Sequence, residues 1–402
     1  MNTSQSVHDA TTSLLKYCEE RNYSGYDPYD ALNSPLLRMA SLGMKYPRIA
    51  VTQGVKKLPW NLRPLFLIPK GHNPKGLGLF LWSYAKLYAI DQRKEYLDCI
   101  HHILDLLDRY KGKENHGNGW GYNFPWQSRA FFVPRYTPTI VNSCFVGHAL
   151  LDTFKITGIE RARDMAMPIK EFILKDLYRT PHGDDAFCFA YTPIDKLIVH
   201  NANLLGASLL CRLNALEPDA EAREASLASL AYSMKHQHDD GAWWYADTDY
   251  QQWIDSFHTG FNLQCIAYFL ENGEAMYCKD AYERGVKYYA DNFFHDDGTA
   301  KYFHDRTLPI DVHSYAQAIV FFSRYVAQQA DHPYRKLVDR VAARFLESFR
   351  DPKGFFYFQQ KRNHMIKIPY MRWSQSWSLH ALTEYLLANH NDESSEGKPV
   401  HA

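Results

Sequence analysis

The segment WIDSFHTGFNLQ, residues 253–264, carries the side chains best suited to chemistry in this sequence. It brings a carboxylate (Asp255), an imidazole (His258) and a hydroxyl close together, shortly after the aromatic run of residues 243–245. Histidine is the commonest general acid or base in enzymes because its pKa lies near neutrality. We therefore predict that His258 transfers a proton. Asp255 fits a helix cap equally well, since aspartate is a preferred capping residue.

A second carboxylate–imidazole pair, Asp311 and His313, opens the segment DVHSYAQAIV at residues 311–320. Asp311 has the same alternative role as a helix cap. Two tyrosines near the two pairs are further candidates for the acid or base. The predicted catalytic residues are His258, Asp255, Asp311, His313, Tyr315 and Tyr245.

The segment IPYMRWSQSWSLH, residues 368–380, is typical of a sugar-binding surface. Arg372 can hold a carboxylate through two parallel N–H donors, and tryptophan rings offer flat faces for sugars. The Gly- and Pro-rich loop GWGYNFPWQSR, residues 119–129, predicts a second binding wall. The predicted substrate-binding residues are Arg372, Trp373, Gln375, Trp377, Trp120, Tyr122, Trp126, Arg129, His200, Asn203, Trp243 and Trp244.

These segments belong to a repeat that runs along the chain. Each unit has a turn rich in Gly, Asp or His, then an aromatic stretch, then an apolar helix that opens with polar residues. The HDDG segments at 238–241 and 295–298 are typical of the turn in this repeat, since Asp and Gly favour tight turns. The helices are predicted to start near Asn142, Asn201, Asp255, Asp311 and Trp373, with a weaker member at Gly76.

Amphipathic helices are predicted between these apolar ones. Their apolar residues recur at i, i+3, i+4 and i+7 with charged residues opposite, as in a helix with one solvated face. The predicted ranges are 92–110, 158–177, 220–237, 281–294 and 334–349, and residues near 8–22 supply a sixth. A small residue five positions into the later apolar helices predicts close helix contacts around a crowded centre. Residues 25–36 and 55–78 show no such periodicity and are predicted to be irregular.

Six apolar inner helices alternating with six half-solvated outer ones resemble the six-hairpin (α/α)6 toroid. The resemblance implies an all-α ring with short β-hairpins in the loops at the N-terminal face of the inner helices. It also implies one toroid domain over 1–390, followed by a disordered tail over 391–402. The positive dipole ends of the inner helices would line one bowl and favour bound negative charge.

The His-Thr pair at residues 258–259 resembles the helix start of the glucuronyl C5-epimerase catalytic domain. The chain also resembles toroid proteins of bacterial exopolysaccharide biosynthesis clusters. QHDDGAW, residues 237–243, fits the repeat of squalene-type cyclases, but the acidic DxDD motif of those enzymes is absent. The resemblance implies an enzyme that acts on an acidic, uronate-containing glycan.

The amino-acid composition argues against several classes of protein. Lys plus Arg and Asp plus Glu are each 45, so the formal charge is zero, which disfavours nucleic-acid binding. No apolar run is long enough to insert in a membrane. The seven cysteines are scattered without a metal-binding spacing, and the first residues do not resemble a secretion signal, so we expect a cytoplasmic protein. No spacing calls for a metal or another cofactor.

The sequence leaves three functions open. The leading prediction is proton abstraction next to a uronate carboxylate, leading to epimerisation or elimination, with Arg372 and His313 holding that carboxylate. The second is a glycoside hydrolase that uses Asp255 and Asp311 as its carboxylate pair, which requires a fixed separation across the scissile bond. The third is a glycan-binding component without catalysis. For the leading prediction, we expect the enzyme to serve polysaccharide biosynthesis or modification.

Overall fold

The structure is a computed structural model that describes residues 3–129, 131–327 and 332–396. Its long helices alternate between an outer and an inner ring along the chain. The helices of the inner ring are α4 (Pro74–Asp91), α6 (Ile140–Thr157), α9 (His200–Leu216), α11 (Ser256–Glu271), α13 (Val312–Val326) and α15 (Trp377–Glu396). Those of the outer ring are α1 (Thr3–Glu19), α5 (Lys94–Arg109), α7 (Glu160–Ala166) continued by α8 (Ile169–Glu171), α10 (Ala220–Lys235), α12 (Lys279–Asn292) and α14 (Arg335–Phe349).

The inner helices close into a ring. Each one contacts the next, and the last, α15, contacts the first, α4. The N-terminal helix α1 packs against α14 and α15, so it completes the sixth hairpin beside the C-terminal repeat. The predicted all-α (α/α)6 toroid of six helical hairpins is thereby confirmed.

The two rings differ in burial as their sequences predict. Residues 140–151 of α6 are buried all around the helix, because neighbours lie on both sides of it. In the outer helix α5 burial is confined to one stripe that includes Ile100, Ile103 and Leu107. An amphipathic helix buries only its apolar face, so the outer ring separates the core from solvent.

Small residues let the inner helices approach one another. A Cβ atom at Gly260 in α11 would lie 2.6 Å from Gln317 Cγ in α13. At the turn before α11, Gly241 adopts φ +97°, and a Cβ there would lie 2.5 Å from the backbone oxygen of Arg284. The left-handed conformation and this close contact both favour glycine, which supports the interpretation of HDDG as a turn.

Short β-structures occupy the loops at the N-terminal ends of the inner helices, as predicted. β1 (Trp126–Gln127) pairs with β2 (Phe132–Val133) before α6, and β3 (Arg179–His182) pairs with β4 (Ala186–Phe189) before α9. β5 (Ile310–Asp311), β6 (Gln359–Gln360) and β7 (Met365–Ile366) form one antiparallel sheet. This sheet joins the loops that precede α13 and α15.

A helical insertion lies between α1 and α4. It contains α2 (Pro35–Ala40) and α3 (Lys45–Lys57), which pack on a small core of Ala31, Val55 and Ile68. Ser34 caps α2 by accepting a hydrogen bond from the Leu37 backbone N–H. The sequence pattern does not predict helix α3, and the helix overlaps the start of the stretch 55–78 that is predicted to be irregular.

The last inner helix extends further than expected. It continues to Glu396, whereas the disordered tail is predicted from residue 391; residues 397–402 lie outside the described residues. The single domain over 1–390 stays a prediction. In the described part of the chain, no helix combines the length and apolar character needed to cross a membrane.

Candidate active site

A cavity of about 650 Å³ opens at the N-terminal ends of the inner helices. Every inner helix contributes a residue from its first turn or from the turn just before it. These residues are Lys75, Val141, Asn201, Phe257 with His258, His313, and Arg372 with Trp373. Because helix N-termini carry unpaired backbone N–H groups and a positive dipole end, this location favours anionic groups.

Asp255 and His258 form a hydrogen-bonded pair in the cavity wall. Asp255 caps α11 by accepting the His258 backbone N–H at 3.1 Å, and its other oxygen accepts from His258 Nδ1 at 2.7 Å. Trp253 Nε1 donates to the same carboxylate at 2.9 Å. The carboxylate therefore acts both as a cap and as a partner of the imidazole. The two alternative roles of Asp255 are combined in one side chain.

This pair fixes the state of the His258 ring. A carboxylate accepts hydrogen bonds, so in the neutral imidazole Nδ1 carries the proton and Nε2 carries the lone pair. Nε2 makes no hydrogen bond to the described residues, and the ring lines the cavity. The Tyr245 ring lies 4.6 Å from the imidazole and stacks on Trp253. His258 is thus held in place with a proton acceptor available.

His313 is a buried imidazole without a polar partner among the described residues. Neither ring nitrogen makes a hydrogen bond to them. The ring stacks on Phe257 with centroids 4.5 Å apart and lies 4.2 Å from the Trp377 ring. Burial, reinforced by nearby cations, holds the pKa of His313 well below its usual range. His313 is therefore neutral near pH 7, with one nitrogen able to donate and one able to accept.

Lys75, in the first turn of α4, brings an unpaired amine to the cavity. Its Nζ lies 3.9 Å from the Phe145 ring centroid and 5.3 Å from both Phe261 and Trp377. It makes no hydrogen bond or ion pair with the described residues, although the side chain is buried. Burial lowers the pKa of Lys75 well below its usual value, and Arg372 lowers it further.

Arg372 lines the cavity, but Nε and Nη2 of its guanidinium are engaged in a bidentate pair with Asp27. Nε donates to Asp27 Oδ2 at 2.6 Å and Nη2 to Asp27 Oδ1 at 2.8 Å. Although burial alone would lower the pKa of Arg372, the Asp27 carboxylate raises it. The predicted clamp on a substrate carboxylate is therefore occupied by a carboxylate of the protein itself.

Asp311 lies beneath the cavity surface and caps α13. One oxygen accepts from the His313 backbone N–H at 2.9 Å and from Trp373 Nε1 at 2.8 Å, and the other from Gln359 Nε2 at 2.7 Å. Burial raises the pKa of Asp311 above its usual value. Among the described residues Asp255 is the only carboxylate that lines the cavity, so the carboxylate pair expected for a hydrolase is not formed there.

Aromatic rings make up much of the cavity wall. Tyr122, Trp126 and Trp373, which are predicted to bind sugar, line it. So do Tyr245, which is a predicted catalytic residue, and the exposed Arg129. Trp126 contacts Tyr191 with ring centroids 5.7 Å apart. Ring faces of this kind can stack on the apolar faces of sugars.

Besides Asp311, the structure places eight of the predicted site residues outside the cavity. Most are buried and already hold structural partners, for example Trp120, which donates Nε1 to the Leu107 carbonyl oxygen at 2.8 Å. His200 bonds Asp247, and Asn203 bonds the Phe189 N–H and Ser229. Together with Asp311, the predicted residues that do not line the cavity are Trp120, Trp243, Trp244, His200, Asn203, Tyr315, Gln375 and Trp377.

The other five of these eight residues lie outside the cavity for different reasons. Trp243 donates Nε1 to the Ser233 carbonyl oxygen, and Gln375 bonds the Phe356 backbone through both amide atoms. Tyr315 packs against Phe345. Trp377 is fully buried behind His313, and Trp244 is partly exposed beside His238.

Several cavity residues do not follow from the sequence. Lys75 lies within the stretch 55–78 that the sequence predicts to be irregular, whereas the structure places it in the first turn of α4. Trp253 lies two residues before Asp255, so its place in the segment 253–264 is a usable signal. Neither Tyr191 and Tyr302, which line the cavity, nor Asp27, which pairs with Arg372, has a sequence signal, because their place depends on contacts between distant parts of the chain. In residues 3–129, 131–327 and 332–396, no three His, Cys, Asp or Glu side chains are grouped to hold a metal ion.

Comparison with known proteins finds similarity in structure but not in sequence. No protein-family model matches the sequence, and no curated protein matches it. Cellobiose 2-epimerase from Bacillus thermoamylovorans B4167 superposes with a TM-score of 0.61 and 13% identity, over 78% of this chain and 87% of that one. A GH76 alpha-mannanase from Bacteroides thetaiotaomicron gives 0.59 and 11%, over 81% and 88%.

A polysaccharide lyase is similar at a TM-score of 0.54 and 11% identity, over 81% of this chain and 92% of that one. These similarities establish the shared toroid fold. The three proteins are named for epimerisation, hydrolysis and elimination, and a fold that hosts several reactions does not select one. The reaction must be argued from the cavity itself.

Proposed function

We propose that this chain is a carbohydrate-active enzyme that removes a proton from a carbon next to a carboxylate or carbonyl group, with His258 as the base. The observation that carries the proposal is the Asp255–His258 pair, which leaves Nε2 as an acceptor beside the cavity. A base needs this arrangement: a fixed ring, a free lone pair and a carboxylate to stabilise the imidazolium that forms.

Removal of the proton leaves negative charge on the neighbouring oxygen. Lys75 and the N–H groups at the inner-helix N-termini can stabilise it. Return of a proton to the opposite face gives epimerisation, and loss of a substituent from the next carbon gives elimination. His313 and Lys75 are the groups available to protonate the intermediate or the leaving oxygen.

Charge around the cavity favours an acidic sugar. Lys57, Lys75, Arg129 and Arg372 line it, against Asp255 as the lining carboxylate among the described residues. A uronate would bring the negative charge that this surplus attracts, and its carboxylate would acidify the C5 proton. Arg372 is engaged by Asp27, so Lys75 takes the role predicted for Arg372 in neutralising that carboxylate.

Two further observations support this class. The similar cellobiose 2-epimerase and polysaccharide lyase are both named for carbohydrate chemistry of this kind. Hydrolysis is less well supported, because inverting and retaining mechanisms both use two carboxylates across the bond. The seven cysteines are free thiols, which fits a reducing compartment and so a role in polysaccharide biosynthesis in the cytoplasm.

The test is proton exchange in heavy water with glycans that contain uronates, and with neutral reducing disaccharides as a second arm. We expect deuterium at C5 of a uronate; deuterium at C2 of a neutral sugar would assign the carbonyl chemistry instead. New reducing ends without deuterium would contradict proton abstraction and indicate hydrolysis.

Three variants connect the reaction to the pair. His258→Ala should lower the exchange rate about 10²–10⁴-fold, the range for loss of a general base. Asp255→Asn keeps a capping side chain but removes the carboxylate, and we expect a similar loss. Asp219→Asn is the matched control, because Asp219 caps the outer helix α10 by accepting from Ala222 N. Full exchange in His258→Ala would exclude it as the base.

A further inference from the structure

Exposed apolar side chains are concentrated in the insertion that carries α2 and α3. Of the fifteen large hydrophobic residues exposed in the described chain, eight lie between residues 36 and 67, each 44–76% exposed. They are Leu36, Met39, Leu42, Met44, Tyr46, Trp60, Leu65 and Leu67. Scattered exposed hydrophobic residues are ordinary, but a concentration in one small element marks an interaction surface.

The insertion does not need these side chains for its own packing. Its core consists of Ala31, Val55 and Ile68, with Leu37 and Phe66 packed against it. Leu42 and Leu67 adopt left-handed backbone conformations, φ +50° and +54°. A turn at such positions favours glycine or asparagine, yet here it presents leucine to solvent. The exposed leucines are therefore additional to what folding requires.

The charge of this region is one-sided. No acidic residue occurs between Asp30 and Asp91, although the whole chain has equal numbers of acidic and basic residues. Arg38, Lys45 and Lys70 are exposed among the apolar side chains. The surface thus combines apolar tips with positive charge and has no acidic side chain of its own to neutralise it.

We propose that residues 35–70 dock this protein on the surface of a lipid bilayer that contains anionic lipids. Apolar side chains that enter the headgroup region and basic side chains that attract anionic headgroups are the two contributions to such binding. A second copy of this chain is a poorer partner, because its insertion would bring the same positive charge. A nucleic acid would leave the apolar tips in water.

Docking would also orient the proposed active site. Ile49, Gln53 and Lys57 of α3 line the cavity, while Tyr46 at the start of the same helix is exposed. The membrane-facing insertion and the cavity wall therefore share one helix, which would bring the cavity mouth close to the bilayer. Docking itself does not depend on the chemistry in the cavity.

The test is co-sedimentation of the full chain with vesicles. We expect binding to vesicles of phosphatidylcholine mixed with phosphatidylserine, weaker binding to phosphatidylcholine alone, and release by high salt. The variant Leu65→Ser/Leu67→Ser should bind the vesicles at least about tenfold more weakly than the unaltered protein. Lys45→Glu/Lys70→Glu should bind the anionic vesicles at least about fivefold more weakly per substituted lysine, and its binding to phosphatidylcholine alone should not change.

The matched control is Met276→Ser/Tyr277→Ser, which removes two similarly exposed residues far along the chain and should bind like the unaltered protein. Thermal melting shows that each variant is folded. Absence of binding to the anionic vesicles would overturn the proposal, as would equal binding by the leucine variant and the control. A dimer in solution that the leucine variant abolishes would assign the surface to a second copy instead.

Discussion

Lys75 offers a test of the idea that the cavity is built for binding at the expense of stability. Its amine is buried without a hydrogen bond or ion pair to the described residues, and burial holds the pKa well below the usual value. Lys75→Met keeps the length of the side chain and removes the charge. We expect the variant to be more stable than the unaltered protein and to lose activity.

The expected gain in the free energy of unfolding of Lys75→Met is the balance of opposing contributions. Contact of the ammonium with the Phe145 ring stabilises the folded state by about 0.5–2 kcal/mol, and the methionine sulfur replaces part of that by its own contact with aromatic rings. Desolvation of the unpaired amine is removed entirely. We expect a net increase of about 1 kcal/mol in the free energy of unfolding, typical of substitutions that relieve a functional site.

The pH dependence of stability is a second, independent test that burial of Lys75 destabilises the folded state. Because the pKa of Lys75 is lower in the folded state than in the unfolded chain, the unfolded chain binds more protons at pH values between the two pKa values. Stability linked to this group therefore increases as the pH rises toward the unfolded value. The stability advantage of Lys75→Met should therefore shrink as the pH rises from 7 toward about 10.4, the usual pKa of a lysine side chain.

Lys86 provides the matched control. It is equally buried in α4, but it pairs with Glu384 and lies 3.1 Å from His380 Nδ1. Lys86→Met leaves Glu384 buried without its partner, which should cost about 3–5 kcal/mol. Urea denaturation of both variants between pH 7 and pH 10 measures the difference. Destabilisation by Lys75→Met at pH 7 would refute the reasoning.

Three further predictions concern the scaffold. Arg372→Met should lower the free energy of unfolding by about 3–5 kcal/mol, because it leaves the Asp27 carboxylate buried and unpaired; urea titration measures this, and a neutral effect would contradict it. Gly241→Ala should cost about 2 kcal/mol or more, since its Cβ would meet a backbone oxygen in a left-handed turn; thermal melting checks it. Trp373→Phe should keep the aromatic face but lose the hydrogen bond to Asp311, lowering stability by about 1–3 kcal/mol with little change in substrate KM.

The ring could be predicted from the sequence because burial differs between its two layers. Helices surrounded on all sides, such as α6, are apolar throughout, whereas outer helices such as α5 alternate apolar and charged faces. The repeat then gives the number of hairpins and the end of the ring where the inner helices begin. Helix α3 could not be predicted in this way, because it lies outside the repeat and packs on a core of its own.

The candidate site could be predicted only where it is local. Asp255 and His258 are three residues apart on one helical turn, so their contact follows from helix geometry. The pairing of Arg372 with Asp27 spans 345 residues and exists only because the ring closes. Residue type alone could not tell that Trp126 lines the cavity and Trp120 does not, since both belong to the same aromatic loop. Only in the structure does Trp120 donate its N–H to a buried carbonyl oxygen.

The buried polar groups that lack a protein partner argue most directly for a ligand. Asn201 Oδ1 and both ring nitrogens of His313 make no hydrogen bond to the described residues, and both side chains line the cavity. Each such group costs about 1–3 kcal/mol, and the Lys75 amine adds to that. A ligand rich in hydroxyl and carboxylate groups supplies donors and acceptors to all three residues at once, and its aromatic contacts add apolar burial. Mannitol, which has the hydroxyls but no carboxylate, should therefore protect the protein from thermal unfolding less than glucuronate does at equal concentration, and Lys75→Met should remove that difference.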